Sequence, residues 1–313
     1  MTTAITIGMI IIYVAIMMGI GVYTARQTRS VSDFVLGSHS VGSWLTAFAY
    51  GTSYFSAVVF IGYAGQFGWT YGVSAAWVGV GNALLGSLLA WIVLGRRTRI
   101  MTQSLGAKTM PEYFEKRWNS KGLKIAAALI VFVFLIPYTA SVYNGLSRLF
   151  NMAFQIESEG AYKIIIIVMA LLTAIYVILG GYAATAINDF IQGIVMLIGI
   201  AAVVICAIQN QGGLTSALAA LGEIEVNGKT NTLNSVFGPD PLNLLGVVIL
   251  TSLGTWGLPQ MIHKFYAIKS ENDIKKGAVI STVFALIVAG GSYLLGGFDR
   301  LFCTLTEDGS GKT

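Results

Sequence analysis

Eight apolar stretches, each long enough to cross a bilayer as a helix, constrain this chain more than anything else in it. A crossing helix needs about 20 mostly apolar residues at about 1.5 Å of rise each. Segments near 4–24, 41–64, 72–95, 122–151, 162–181, 184–209, 243–267 and 274–298 meet that requirement. The runs Ile164–Ile178 and Ile194–Ile208 are apolar almost throughout and lack strand-like alternation. They therefore read as helices, not as the staves of a β-barrel. Composition agrees: 55% of the residues are hydrophobic and only 11% charged, against about 25% charged in a soluble domain. That balance excludes an ordinary cytosolic enzyme, a disordered chain and a nucleic-acid module. Cys206 and Cys303 are too few for a disulfide framework. The first stretch lacks a basic leader and a small-residue cleavage site, and is expected to be a retained helix.

The basic residues give an expected orientation. Arg26 and Arg29 follow the first stretch; Arg96, Arg97, Arg99, Lys108, Lys116, Arg117, Lys121 and Lys124 lie between the third and fourth; Lys264, Lys269, Lys275 and Lys276 lie between the seventh and eighth. These loops share one side, and only Arg148, Lys163, Lys229, Arg300 and Lys312 fall on the other. The richer side is expected to be cytoplasmic, with the N-terminus outside. The net charge of +5 is then a topology signal, with no nucleic-acid partner implied. Two long loops remain. In 96–121, Thr109-Met110-Pro111-Glu112 predicts a short capped amphipathic helix. The outer segment 210–242, with Glu223, Glu225 and Asp240, reads as a solvated loop.

Polar groups at membrane depth carry the functional signal. Gly51-Thr52-Ser53-Tyr54-Phe55-Ser56 interrupts the second stretch. An unwound point there would free backbone carbonyls for a cation; the same small and hydroxyl residues also suit a tight helix contact, and both readings stand. Asp189 is the sole acid inside an apolar stretch. It marks either a wet cavity or a solvated helix end. Pro259 should kink the seventh stretch, beside Ser252, Thr255 and Trp256. Pro137 and Tyr138 put a second proline next to a hydroxyl that wants a partner. His39 and His263 have no second ligand at metal spacing, so no metal site is expected. No phosphate loop or nucleophile elbow is present, and no enzyme activity is expected.

Four blocks together resemble the sodium/solute symporter family, nearest its sodium/proline branch. They are Ser32-Asp33-Phe34-Val35-Leu36-Gly37 through Ser56, Gly95-Arg96-Arg97-Thr98-Arg99 through Phe114, Tyr176 through Gln192, and Trp256-Gly257 with Pro259. The resemblance implies an all-α polytopic membrane protein with the leucine-transporter inverted-repeat fold. It would be one transporter domain over 1–313: a leading helix and loop at 1–40, a five-helix repeat at 41–209, the outer loop 210–242, and the opening of the second repeat at 243–313. It further implies sodium held by the carbonyls of Thr52 and Phe55, with the remaining ligands on a helix beyond this chain. The substrate would lie among Ser53, Tyr54, Val59, Tyr138, Ser252, Thr255, Trp256 and Pro259, and Asp189 would sit on the inner ion path. Three positions depart from family patterns. Tyr54 stands where the proline branch has aspartate, Val59 where sugar carriers have glutamine, and Thr255 where a gate tyrosine is common. The implied function is sodium-coupled symport of a small organic solute, with an amino acid as candidate, across the cell membrane. The alternatives are a truncated fragment without transport of its own and a membrane sensor on the same core. Sodium is the implied coupling ion, and no other cofactor is expected.

Overall fold

The computed structural model describes residues 2–26, 28, 30–37, 41–55, 58–154, 159–226, 228–305 and 311–312. Ser56 and His39, singled out above, lie outside them. In chain order the helices are α1 (Thr2–Ala25), α2 (Val31–Leu36), α3 (Ser43–Tyr54), α4 (Ala64–Tyr71), α5 (Ala76–Gly81), α6 (Arg96–Leu105), α7 (Met110–Trp118), α8 (Lys121–Phe154), α9 (Glu159–Asn210), α10 (Leu214–Glu223), α11 (Pro241–Leu253), α12 (Pro259–Ala267), α13 (Glu271–Gly297) and α14 (Asp299–Phe302). Val58–Tyr63 and Asn82–Leu89 wind as wider π-type turns. Two strands of two residues each, Thr304–Leu305 and Gly311–Lys312, pair near the end.

Five helical runs among the described residues are long and apolar enough to cross a membrane, or six with the broken run 241–267. Of the eight expected crossings, two share the run Tyr162–Asn210, and the stretch 41–64 is not among these runs. The candidate run Tyr162–Asn210 holds 49 residues, about 75 Å of helix at 1.5 Å each, far beyond a hydrocarbon core of about 30 Å. It divides at Gly181, whose φ of 59° and ψ of −151° are not helical. A side chain cannot stand there, since a Cβ would lie 2.7 Å from the carbonyl oxygen of Phe34. The second stretch is likewise two pieces: α3 ends at Tyr54, and helix resumes at Val58.

The chain forms two compact units. The first comprises residues 1–53, 93–192 and 259–277. Ser30 caps α2 by accepting from the Asp33 amide at 3.1 Å, while the Asp33 carboxylate accepts from the Ser30 amide at 3.0 Å. Thr109 caps α7 as expected, with Pro111 in its first turn. Its glutamate reaches one residue further back, and Glu112 accepts from the Lys108 amide at 2.8 Å. Val41, Tyr182, Ala186 and Ala267 form a buried apolar cluster. Arg99 ties α6 to the end of α12, donating to the carbonyls of Ile268 at 3.0 Å and Lys269 at 2.6 Å. Helix α8 continues through Pro137 and presents its apolar residues outward, as lipid solvation requires.

The second unit comprises residues 54–92, 193–258 and 278–313. Here backbones touch. A Cβ on Gly68 would lie 1.9 Å from the carbonyl carbon of Gly296, so only glycine lets α4 and α13 approach this closely. Leu221, Leu233 and Phe298 form a fully buried cluster with Ala217. That cluster lies under segment 210–242, which therefore contains a packed helix, α10, and is more than a solvated loop. Asp240 instead caps α11, accepting from the Asn243 amide at 3.1 Å.

Candidate functional site

In the first unit the central feature is an ion pair. Lys264 Nζ lies 3.4 Å from Asp189 Oδ2, with only 8% of the lysine side chain and 22% of the aspartate exposed. The Thr52 hydroxyl faces the same carboxylate. The ammonium also stands 5.2 Å from the centre of the Tyr182 ring, a distance at which the ring quadrupole attracts a cation. Its charge is thus met by a carboxylate and a π face. The sequence assigned Lys264 to a cytoplasmic loop; the structure buries it in α12. Asp189 stands two helical turns beyond the break at Gly181, rather than at a solvated helix end. Beside the pair, the Asn188 amide and the Tyr182 hydroxyl are buried with no hydrogen-bond partner among the described residues.

A cavity of about 370 Å³ opens in the same unit. Thr109, Met110 and Pro111 of α7, Val131, Leu135, Tyr138 and Thr139 of α8, and Pro259, Gln260, His263 and Tyr266 of α12 line it. No carboxylate, ammonium or guanidinium is among these residues. The Gln260 Oε1 and Nε2 atoms are buried, with no hydrogen-bond partner among the described residues. His263 is not directed to a metal; its ring meets Tyr182 edge-on at 5.2 Å. Among the described residues no cluster of three metal-ligating side chains occurs.

The second unit gathers its polar groups on Asn82. Asn82 is 2% exposed. Its Oδ1 lies 3.2 Å from the Tyr54 hydroxyl, 3.1 Å from Thr251 Oγ1 and 3.1 Å from Ser252 Oγ. Tyr54 also reaches the Thr251 carbonyl at 3.0 Å. Trp256 donates from its indole to the Leu85 carbonyl at 3.0 Å, and Thr255 donates to the Ser252 carbonyl at 3.0 Å. The Thr251 and Ser252 bonds join α11 to the wide turn 82–89, Tyr54 adds the end of α3, and every hydroxyl in them is satisfied.

The expected substrate set therefore falls into two groups. Tyr138 and Pro259 meet in the first unit's cavity. Tyr54 and Ser252 meet on Asn82 in the second, with Thr255 and Trp256 bonded near by on the same segment. Val59 sits half-buried on its π-type turn, and Ser53 is half-buried near the end of α3. For sodium, α3 ends at Tyr54, which leaves the carbonyls of its last turn, Thr52 included, without acceptor duty to a following turn. Phe55 is the bend itself and is buried. Three residues escaped sequence reasoning. Asn82 is a lone amide in the stretch 72–95, and the logic that flagged Asp189 would have flagged it. Lys264 and Gln260 both lie inside the stretch 243–267. Their signal was position within an apolar run.

Comparison with known proteins gives one answer. The model of the sodium:solute symporter family matches residues 34–307. Curated sodium/proline symporters of Staphylococcus aureus, strains JH9 and COL among them, are each 34% identical over 274 residues, covering 86% of this chain and 51% of theirs. The chain thus spans about half the length of the curated relatives it matches. A solved structure of a Na+-coupled sialic acid symporter, substrate-bound and outward-open, superposes with a TM-score of 0.72 at 17% identity, covering 96% of this chain and 60% of that one. That likeness gives the fold: an all-α, multi-pass membrane protein of the leucine-transporter inverted-repeat type. With a family match over residues 34–307, most of its length, this chain belongs to the sodium:solute symporter family.

Proposed function

We propose that this chain serves sodium-coupled symport of a small organic solute by alternating access. The observation that carries the reading is the family match over 34–307, joined to a helix interruption at Phe55, where the resemblance implies a sodium site. Thr52 and Phe55 offer backbone carbonyls to the ion, and Asp189 lies on its inner path. In the present arrangement Lys264 neutralises Asp189, so an arriving cation competes with the ammonium for the carboxylate. The curated relatives are sodium/proline symporters, which supports an amino acid as solute. Tyr54 and Ser252, both bonded to Asn82, hold the second unit together, while Tyr138 and Pro259 wall the solute cavity. The basic loops support a cell-membrane location with the N-terminus outside. No covalent step is involved; the sodium gradient supplies the work.

The test is uptake of labelled proline and a panel of amino acids into proteoliposomes, by the 313-residue chain and by a version extended to the length of its relatives. An inward sodium gradient is expected to drive accumulation, and replacing sodium with choline to abolish it. Uptake indifferent to sodium would contradict the proposal.

A further inference from the structure

Positive charge gathers where α7 meets α8. From Lys108 to Lys124 the chain holds five cations, Lys108, Lys116, Arg117, Lys121 and Lys124, against two carboxylates, Glu112 and Glu115. Both carboxylates are engaged: Glu115 accepts from Lys124 at 2.7 Å, and Glu112 accepts from the Lys108 amide at 2.8 Å. Lys116, Arg117 and Lys121 are exposed and have no carboxylate partner among the described residues. Lys116 donates to the Gly106 carbonyl at 2.6 Å, which holds the ammonium in place and leaves its charge uncompensated. Local bonds fix the corner itself. Asn119 ends α7 in the left-handed conformation, with a φ of 48°. The Ser120 hydroxyl then caps α8, accepting from the Leu123 amide at 3.3 Å. The Lys124–Glu115 pair joins the two helices across this turn.

The start of α8 sets the depth of the corner. Helix α8 is long and apolar enough to cross a membrane, and Leu123, Ile125 and Leu129 already face outward. Lys121 therefore precedes the hydrocarbon by less than one helical turn, at the level of the headgroups. Trp118 lies between the cations and is 55% exposed. Phe114 stacks on its ring at 5.6 Å, Tyr113 meets it edge-on at 6.3 Å, and the Arg117 guanidinium is 6.0 Å from its centre. An indole held open at the end of a span suits the membrane interface. A soluble anion would answer the cations and leave the indole unused. A zwitterionic headgroup would accommodate the indole and bring no net charge. An anionic phospholipid answers both.

We infer that the α7–α8 corner binds the headgroup of an anionic phospholipid, through Lys116, Arg117 and Lys121 with Trp118 beside them. The test measures dissociation constants of dioleoylphosphatidylglycerol and dioleoylphosphatidylcholine by native mass spectrometry of the purified full chain in detergent. The anionic lipid is expected to bind at least tenfold tighter. Lys116→Gln, Arg117→Gln and Lys121→Gln together should remove most of that preference. If this triple variant does not fold, Arg117→Gln with Lys121→Gln, which spares the Lys116 bond to Gly106, carries the test. A control removes the same charge elsewhere: Arg97→Gln, Lys275→Gln and Lys276→Gln, three other exposed cations, should leave the preference nearly intact. Inorganic phosphate at the lipid's concentration should not displace phosphatidylglycerol. Equal affinity for the two lipids, a preference that survives in whichever corner variant folds, an equal loss in the control, or displacement by phosphate would each overturn the inference.

Discussion

The two units solve the same problem, polar side chains at membrane depth, in opposite ways. In the second, three hydroxyls converge on the single carbonyl oxygen of Asn82, and Trp256 and Thr255 find backbone acceptors. In the first, a carboxylate and an ammonium are held together, and Asn188, Tyr182 and Gln260 have buried atoms with no partner among the described residues. A satisfied network fixes a helix contact and has nothing left to offer a ligand. An unsatisfied one carries a standing cost that a ligand can relieve. Polarity at depth therefore does not mark a site by itself; unmet hydrogen-bonding capacity does.

The sharpest way to break this contrast is to remove Lys264. Lys264→Met leaves Asp189 as an uncompensated buried charge and should cost roughly 3 kcal/mol, read as a loss of thermal stability in detergent. Adding Asp189→Asn should restore most of it, and a single variant as stable as the parent would show that the pair is not coupled. A smaller effect is expected in the second unit. Asn82→Leu takes the acceptor from three hydroxyls, but Tyr54 and Thr251 keep backbone alternatives, so the loss should be about 1 kcal/mol. A loss as large as that for Lys264 would erase the distinction. The last prediction concerns Asp299, just past the last apolar run, where burial lifts the carboxyl from 3.8 to about 6. The folded chain then holds that proton more tightly than the unfolded one. The stability this group contributes is present below about pH 4 and is lost as pH rises through 6. Asp299→Asn should flatten the melting temperature between pH 4 and 7, and an unchanged slope would assign the titration to another group.

The helices were legible because hydrophobic length is a local property. Pro259 announced its break for the same reason: a missing donor acts on the residue itself. The wide turns at 58–63 and 82–89 were not legible, since a shift in backbone hydrogen-bond register leaves no trace in composition. Asp189 stood out as a lone acid, but its partner did not. Lys264 lies 75 residues away in sequence, beside other lysines whose sum explained orientation. A charge count treats cations near a span end as solvated, and only packing distinguishes the one turned inward. Tyr54 was legible as a departure from the proline branch. Its bonds to Asn82 and the Thr251 carbonyl, which give the departure a structural purpose, depend on a wide turn and a helix far along the chain.

A sodium path past Asp189 requires the first unit's charged cluster to respond to sodium. The direct measurement is the melting temperature of the purified chain titrated with sodium chloride against potassium chloride at equal ionic strength, with Asp189→Asn in parallel. Specific binding stabilises the folded state in proportion to the logarithm of occupancy. Sodium should raise the melting temperature progressively while potassium does not, and the difference should shrink in Asp189→Asn. Equal responses to the two salts, or a sodium response untouched by the substitution, would contradict the claim.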